Sequence, residues 1–113
     1  PSPDIMQQKP TYIVVFITTG GAAEADKIAV TLLKRRQAAC VNNVPGVTSR
    51  FWWHDKLDTA EEHLLIVKTR ENLLPDVIKT VKKLHSNDVP EIIALPIVGG
   101  NEDYMAWLDG ETA

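Results

Sequence analysis

His85, Asp88 and Glu91 stand three residues apart along the chain, and together they are the set most able to do chemistry. Imidazole and carboxylate are both good ligands for Cu(II) and Zn(II), so a His with two carboxylates within six residues can hold a divalent ion. The competing reading is a histidine held by one hydrogen bond at the end of a helix. Cys40 is flanked by Ala38, Ala39 and Val41. It reads as a small apolar residue packed under a helix. Lys68 and Arg70 extend from an apolar run that Glu62 opens, and a lysine at the end of a buried strand needs a carboxylate partner or a ligand. Trp52 and Trp53 are suited to walling a cleft or to packing in an interface. His54 and His63 fall on or beside a polar stretch and read as exposed. No nucleophile has an adjacent base, so the chain is not expected to be an enzyme.

The elements that carry these residues follow from periodicity. Tyr12 to Thr18 is β-branched and aromatic without alternation, which predicts a strand buried on both faces. Thr19-Gly20-Gly21 predicts a turn. Ala25, Ile28, Ala29, Leu32 and Leu33 then recur at helical spacing, predicting a helix from about Ala22 to Gln37. Glu24 and Asp26 near its start and Lys34 to Arg36 near its end suit the helix dipole. Arg36 to Trp53 leads into a long strand interrupted at Pro45-Gly46. Proline is confined to sheet edges or bulges, so this reads as a bent edge strand. His54 to Glu61 predicts a polar hairpin loop, and Glu62 to Thr69 the returning strand. Leu74, Val77, Ile78, Val81, Leu84 and His85 form the inner face of a second helix over about Asn72 to Ser86, with Pro75 in its first turn. Glu91 to Ile97 predicts a fourth strand, and Glu102 to Leu108 a short last helix.

The order β-α-β-β-α-β plus a short helix is the split βαβ, or ferredoxin-like, α+β arrangement. Two helices cover one face of a four-stranded antiparallel sheet. The other face normally meets water and is polar, yet three of these strands are apolar on both sides. Leaving about six such side chains exposed would forgo on the order of 10 kcal/mol, comparable with a domain's net stability. A second copy of the chain is the expected cover, with high thermal stability as the corollary.

Length and charge exclude several classes. The 113 residues make one domain, expected over 11–113, with Pro1 to Pro10 as a flexible tail. A net charge of -3 with scattered lysines and arginines gives no case for nucleic acid. One cysteine forbids an internal disulfide, an iron–sulfur cluster and a CxxC copper carrier. No apolar run reaches the ~20 residues of a membrane span. The start has no signal-peptide core. A cytoplasmic location is expected, with an organellar precursor left open by the absence of an initiating Met.

Four blocks in order carry a resemblance: AACVNNVPGVTSRFWW from Ala38, LLIVKTR from Leu64, H-x-x-D-V-P-E-I-I-A-L-P-I from His85, and G-N-x-x-Y-x-x-W-L from Gly100. They closely resemble the CutA family of divalent-cation tolerance proteins over roughly Tyr12 to Leu108. The resemblance implies a ferredoxin-like fold in a tight homotrimer, similar in architecture to the PII signalling proteins, with clefts between subunits. It implies binding of divalent cations, copper especially, in metal tolerance, with no obligatory cofactor. By position, the family's cleft residues fall on Trp53, Glu62, Lys68, His85 and Glu91. The chain departs from the family's pattern at three places. His85-Ser86-Asn87-Asp88 replaces His-Pro-Tyr-Glu, Asp55 stands where Gly is frequent, and the first loop has no cysteine. Two readings stand: a trimeric copper or divalent-cation binder using His85, Asp88 and Glu91, or a PII-like trimeric scaffold or sensor that takes a small molecule or protein at the cleft of Trp53, Glu62 and Lys68.

Overall fold

In a computed structural model, which describes residues 11–113, the chain forms four strands and three α-helices: β1 (Tyr12–Thr19), α1 (Ala22–Lys34), β2 (Cys40–Trp53), β3 (Lys56–Arg70), α2 (Leu74–Leu84), β4 (Ile92–Ile97) and α3 (Glu102–Glu111). The expected tail at 1–10 lies outside the described residues. The sheet order is β2-β3-β1-β4, with every pairing antiparallel. This is the expected α+β arrangement, and β2 is an edge strand as its proline requires.

One face of the sheet carries the core. Ile13, Val15 and Ile17 of β1 and Leu65 and Val67 of β3 pack against Ala25, Ile28 and Leu32 of α1 and Val77 and Val81 of α2. β1 does alternate, buried against half-buried, so the uniform apolar run conceals a strand with one covered face in the single chain. On the other face, Val14 pairs with Leu95 and Phe16 with Ile93 and Ile66. Ile93 and Leu95 are exposed. Helix α3 covers only the end of this face, where the Tyr12 hydroxyl donates to Asp109 Oδ1 at 3.0 Å.

Local geometry corrects several boundaries. α1 stops at Lys34 instead of Gln37 because Arg36 turns left-handed (φ 58°). The Arg36 and Gln37 amides then close on the Leu33 and Leu32 carbonyls, as in a helix ending with a left-handed residue. α2 begins with a 3-10 turn at Glu71–Leu73 and has Pro75 in its first turn. It ends at Leu84, and His85 is extended. His85 is therefore a C-cap residue, not part of the helix's inner face.

The largest correction is at the hairpin. Only His54 and Asp55 turn, both left-handed (φ 50° and 62°), as a two-residue type I′ turn requires. The polar residues 56–61 are strand, because β3 runs back in register with β2 from the first residue after the turn: Trp53 faces Lys56, Phe51 faces Asp58, Ser49 faces Ala60. His63, expected near the start of the returning strand, is accordingly mid-strand, with Nδ1 2.9 Å from Asn43 Oδ1. The β2–β3 register shifts between Val44 and Val47. Pro45 and Gly46 form the bulge there, and Gly46 takes φ 72°.

β1 pairs with β3 only as far as His63. Residues beyond it form a free two-stranded arm, which makes the subunit 51 Å long against 29 and 25 Å across. Trp52 and Leu57, opposite each other on the arm, are each 72% exposed.

Two outcomes follow. The open apolar face and the arm predict a melting temperature that rises with protein concentration, because unfolding is linked to dissociation; a low, concentration-independent value would refute the covered face. Asp55→Gly removes the left-handed strain of a side-chain-bearing residue, so its unfolding midpoint should rise, by at most about 1 kcal/mol.

Candidate functional site

The bulged arm and the loop after α2 meet in a cleft of about 510 Å3. Strand alternation puts Phe51 and Trp53 on the same side of the arm as Asp58, Ala60 and Glu62, their partners or near neighbours across the ladder. These residues, with Glu61, form one wall; Ser86, Asn87, Asp88 and Val89 form the other, and Gly20 closes the floor. Four acidic residues therefore border the cleft, Asp58, Glu61, Glu62 and Asp88, and alternation turns the Glu61 side chain to the other face of the arm, against Thr48. None of them forms an ion pair among the described residues. Glu61 accepts from the Thr48 hydroxyl at 2.8 Å and Asp58 from the Thr59 amide at 2.8 Å.

The loop wall is fixed from beneath by His85 and Glu24. The His85 side chain is completely buried. Its Nε2–H donates to the Thr18 carbonyl at 2.7 Å, and its Nδ1 accepts from the Asn87 amide at 3.0 Å. These partners set the proton on Nε2 and occupy the Nδ1 lone pair. Glu24 accepts from the Gly20 amide at 3.1 Å, from the Ser86 hydroxyl at 3.2 Å and from the Ser86 amide, and lies 3.8 Å from His85 Nδ1. One carboxylate thus ties the first turn of α1 to the loop that walls the cleft.

The structure brings together some of the expected site residues and separates others. Trp53 and Glu62 share the cleft, with Asp88 facing them. Glu91 is exposed and lies outside its lining. Lys68 is six residues beyond Glu62 on β3, about 20 Å away along the strand. Its Nζ lies 3.9 Å from Cys40 Sγ and against Asn42 Oδ1. Cys40, opposite Lys68 in the ladder, is half-buried and faces the side of the sheet away from α1 and α2, beside Tyr104 of α3. Burial pushes the nearby Tyr104 phenol up, and Cys40 adds to that shift. Among the described residues no three His, Cys, Asp or Glu side chains converge closely enough to hold one metal ion. His85, Asp88 and Glu91 are therefore not a preformed three-ligand site within one subunit.

Sequence reasoning missed Asp58 and Glu61 because it placed them on a loop. The alternation of Asp58 with Leu57 and Thr59 was the available signal for a strand. It also missed Glu24, whose proximity to a Gly-Gly turn suggested only a dipole effect.

Burial alone would raise the Glu24 carboxyl. The Gly20 and Ser86 amides, the Ser86 hydroxyl and His85 outweigh it and hold the group below its ordinary value of 4.5. A depressed folded value contributes stability that is present above the unfolded value and lost as pH falls through the folded one. Glu24→Ala should cost about 1–3 kcal/mol at neutral pH by leaving several donors unpaired. The gap to the parent should shrink as pH drops below 4.5. Urea unfolding at both pH values measures this, and a gap independent of pH would refute the assignment.

A family profile described as CutA1 divalent ion tolerance protein matches residues 13–111. The chain is 47% identical to the chloroplastic protein CutA 1 of Oryza sativa, over 88% of this chain and 56% of that one. It is 46% identical to the divalent-cation tolerance protein CutA of Thermus thermophilus, over 88% of this chain and 96% of the relative. The chain thus spans about half the length of the plant relatives it matches and nearly all of the bacterial one. The crystal structure of CutA1 from Oryza sativa superposes with a TM-score of 0.89 at 46% identity, covering 91% of this chain and 94% of that one. The Thermus thermophilus structure gives 0.89 at 44%, covering 90% and 99%. With these matches running from the first strand to the last helix, the chain belongs to the CutA1 divalent ion tolerance family.

Proposed function

We propose that the protein is a homotrimeric divalent-cation binder, taking copper(II) among others, that acts in the cell's response to metal load and catalyses no reaction. The observation that carries this reading is membership of a family named for divalent-ion tolerance. The trimer is the state that the resemblance implies, and the apolar sheet face supports it, since that face needs a cover of the same chemistry. Asp88 and Glu91 are exposed carboxylates without an ion pair among the described residues, on either side of Val89-Pro90 and close to His85 in the chain. Imidazole Nδ1 becomes a third donor once the Asn87 amide releases it. Water or a second copy completes the coordination, because the described residues of one chain offer no three converging donors.

A second reading has a specific observation in its favour. Trp53 and Glu62 lie in one cleft large enough for a small molecule. A scaffold or sensor of PII-like type would place its ligand there, with Lys68 of the same chain outside the cleft.

Native mass spectrometry of metal-stripped protein titrated with Cu(II) tests the first reading. The expected result is a trimer that takes up one ion per subunit in steps and reaches a plateau. Asp88→Asn with Glu91→Gln should remove the plateau without dissociating the trimer, and His85→Ala should weaken it further. A monomer, or uptake unchanged in these variants, sinks the proposal.

A further inference from the structure

The cleft joins two kinds of wall that seldom serve a bare metal ion together: aromatic rings and dispersed carboxylates. Phe51 and Trp53 present ring surface, and Trp53 stays 55% exposed. Asp58, Glu62 and Asp88 border the same space of about 510 Å3, and Glu61 lies beside it with its side chain turned to Thr48. Glu62 and Asp88 make no side-chain hydrogen bond among the described residues, and none of the four has a cationic partner. A point charge cannot use this arrangement, because no three of the donors converge. Asp58 and Glu62 lie on the same side of β3 four residues apart, about 13 Å by strand rise. Asp88 faces them from the other wall.

An elongated cation meets all of these conditions at once. Its ammonium groups lie at intervals that separate carboxylates can match, and its methylene segments cover the aromatic rings. An ammonium over the Trp53 indole adds a cation–π contact. The volume falls within the range of small-molecule sites. We propose that this cleft binds a linear aliphatic polyamine, with Asp58, Glu62 and Asp88 receiving successive ammonium groups and Trp53 and Phe51 packing on the chain between them. The inference rests on the second reading above, that the cleft is a ligand site, and it does not depend on metal uptake.

The test is isothermal titration of the intact protein with spermidine, 1-aminobutane and citrate, with native mass spectrometry as the check on assembly. Spermidine should saturate at one molecule per cleft, and 1-aminobutane should bind far more weakly. Asp58→Asn with Glu62→Gln should weaken spermidine about five- to tenfold, the loss of two exposed ion pairs. Both changes are near-isosteric, and an unchanged mass spectrum excludes a folding or assembly defect. Trp53→Ala should weaken spermidine without restoring discrimination in favour of 1-aminobutane. Equal affinity for the monoamine and the triamine, or spermidine binding untouched in the double variant, overturns the proposal. Saturable citrate binding lost in Trp53→Ala would keep the cleft as a ligand site but overturn its assignment to polycations. If none of the three binds, the proposal and the cleft reading fall together.

Discussion

The fold depends on a mismatch of lengths between neighbouring strands. β3 has fifteen residues and β1 has eight, so β3 must find the rest of its hydrogen bonds elsewhere. It finds them in β2, whose fourteen residues follow it to the turn at His54-Asp55. A two-stranded ribbon is marginal in water by itself. This one carries Phe51, Trp52, Trp53 and Leu57 into solvent, so the arm is an element built for contact. The bulge at Pro45-Gly46 sits between the last residues tied to the rest of the sheet and the first of the free arm. It adds twist where the ribbon leaves the sheet and so sets the side of the arm that faces the loop after α2. Sheet, arm and cleft are one consequence of that pairing.

The second wall of the cleft depends on where α2 stops. Once His85 leaves the helix, its ring turns into the protein and bridges the end of β1 to the following loop through Thr18 and Asn87. Glu24 then takes the Ser86 amide and hydroxyl. Short loops of polar residues normally fray, because their backbone groups exchange freely with water. Here the loop's amides end on a buried ring and a largely buried carboxylate. The wall is as fixed as the core elements that support it, so a ligand entering the cleft meets carboxylates already in position and loses less entropy in ordering them.

Much of this architecture is legible in the chain itself. The order of elements, the edge position of β2, the bend at Pro45 and the need for a covered face all follow from apolar runs and proline chemistry. Boundaries were lost where a single residue takes an unusual conformation. Nothing in the composition of Lys34-Arg35-Arg36 marks Arg36 as left-handed. His54-Asp55 lacks the Asn-Gly or Asp-Gly signature of a type I′ turn, so the six residues after it read as loop. The cost fell on the site, because the misread segment holds Asp58 and Glu61. Of the spaced set His85, Asp88 and Glu91, only Asp88 lines the cleft. The spacing could not report that the imidazole points inward, since a one-residue shift at a helix end decides that orientation.

The distribution of donor atoms bears on which cations the protein can distinguish. The charged residues that line the cleft offer only carboxylate oxygen, a hard donor suited to ions such as Mg2+ and to ammonium groups. The nitrogen that favours copper is His85 Nδ1, and it is engaged by the Asn87 amide. The only cysteine, Cys40, sits about 20 Å along the sheet from Glu62, beside the Lys68 ammonium. An ammonium at that distance opposes a metal cation while leaving room for an anion. On the proposed reading, copper binding within one chain would turn on a single exchange, the release of Nδ1 by the Asn87 amide. That exchange would also loosen the loop whose carboxylate, Asp88, faces Glu62. If the protein binds copper as proposed, metal uptake and the shape of the cleft would be coupled through that one hydrogen bond, and a ligand that held the loop closed would work against the nitrogen donor.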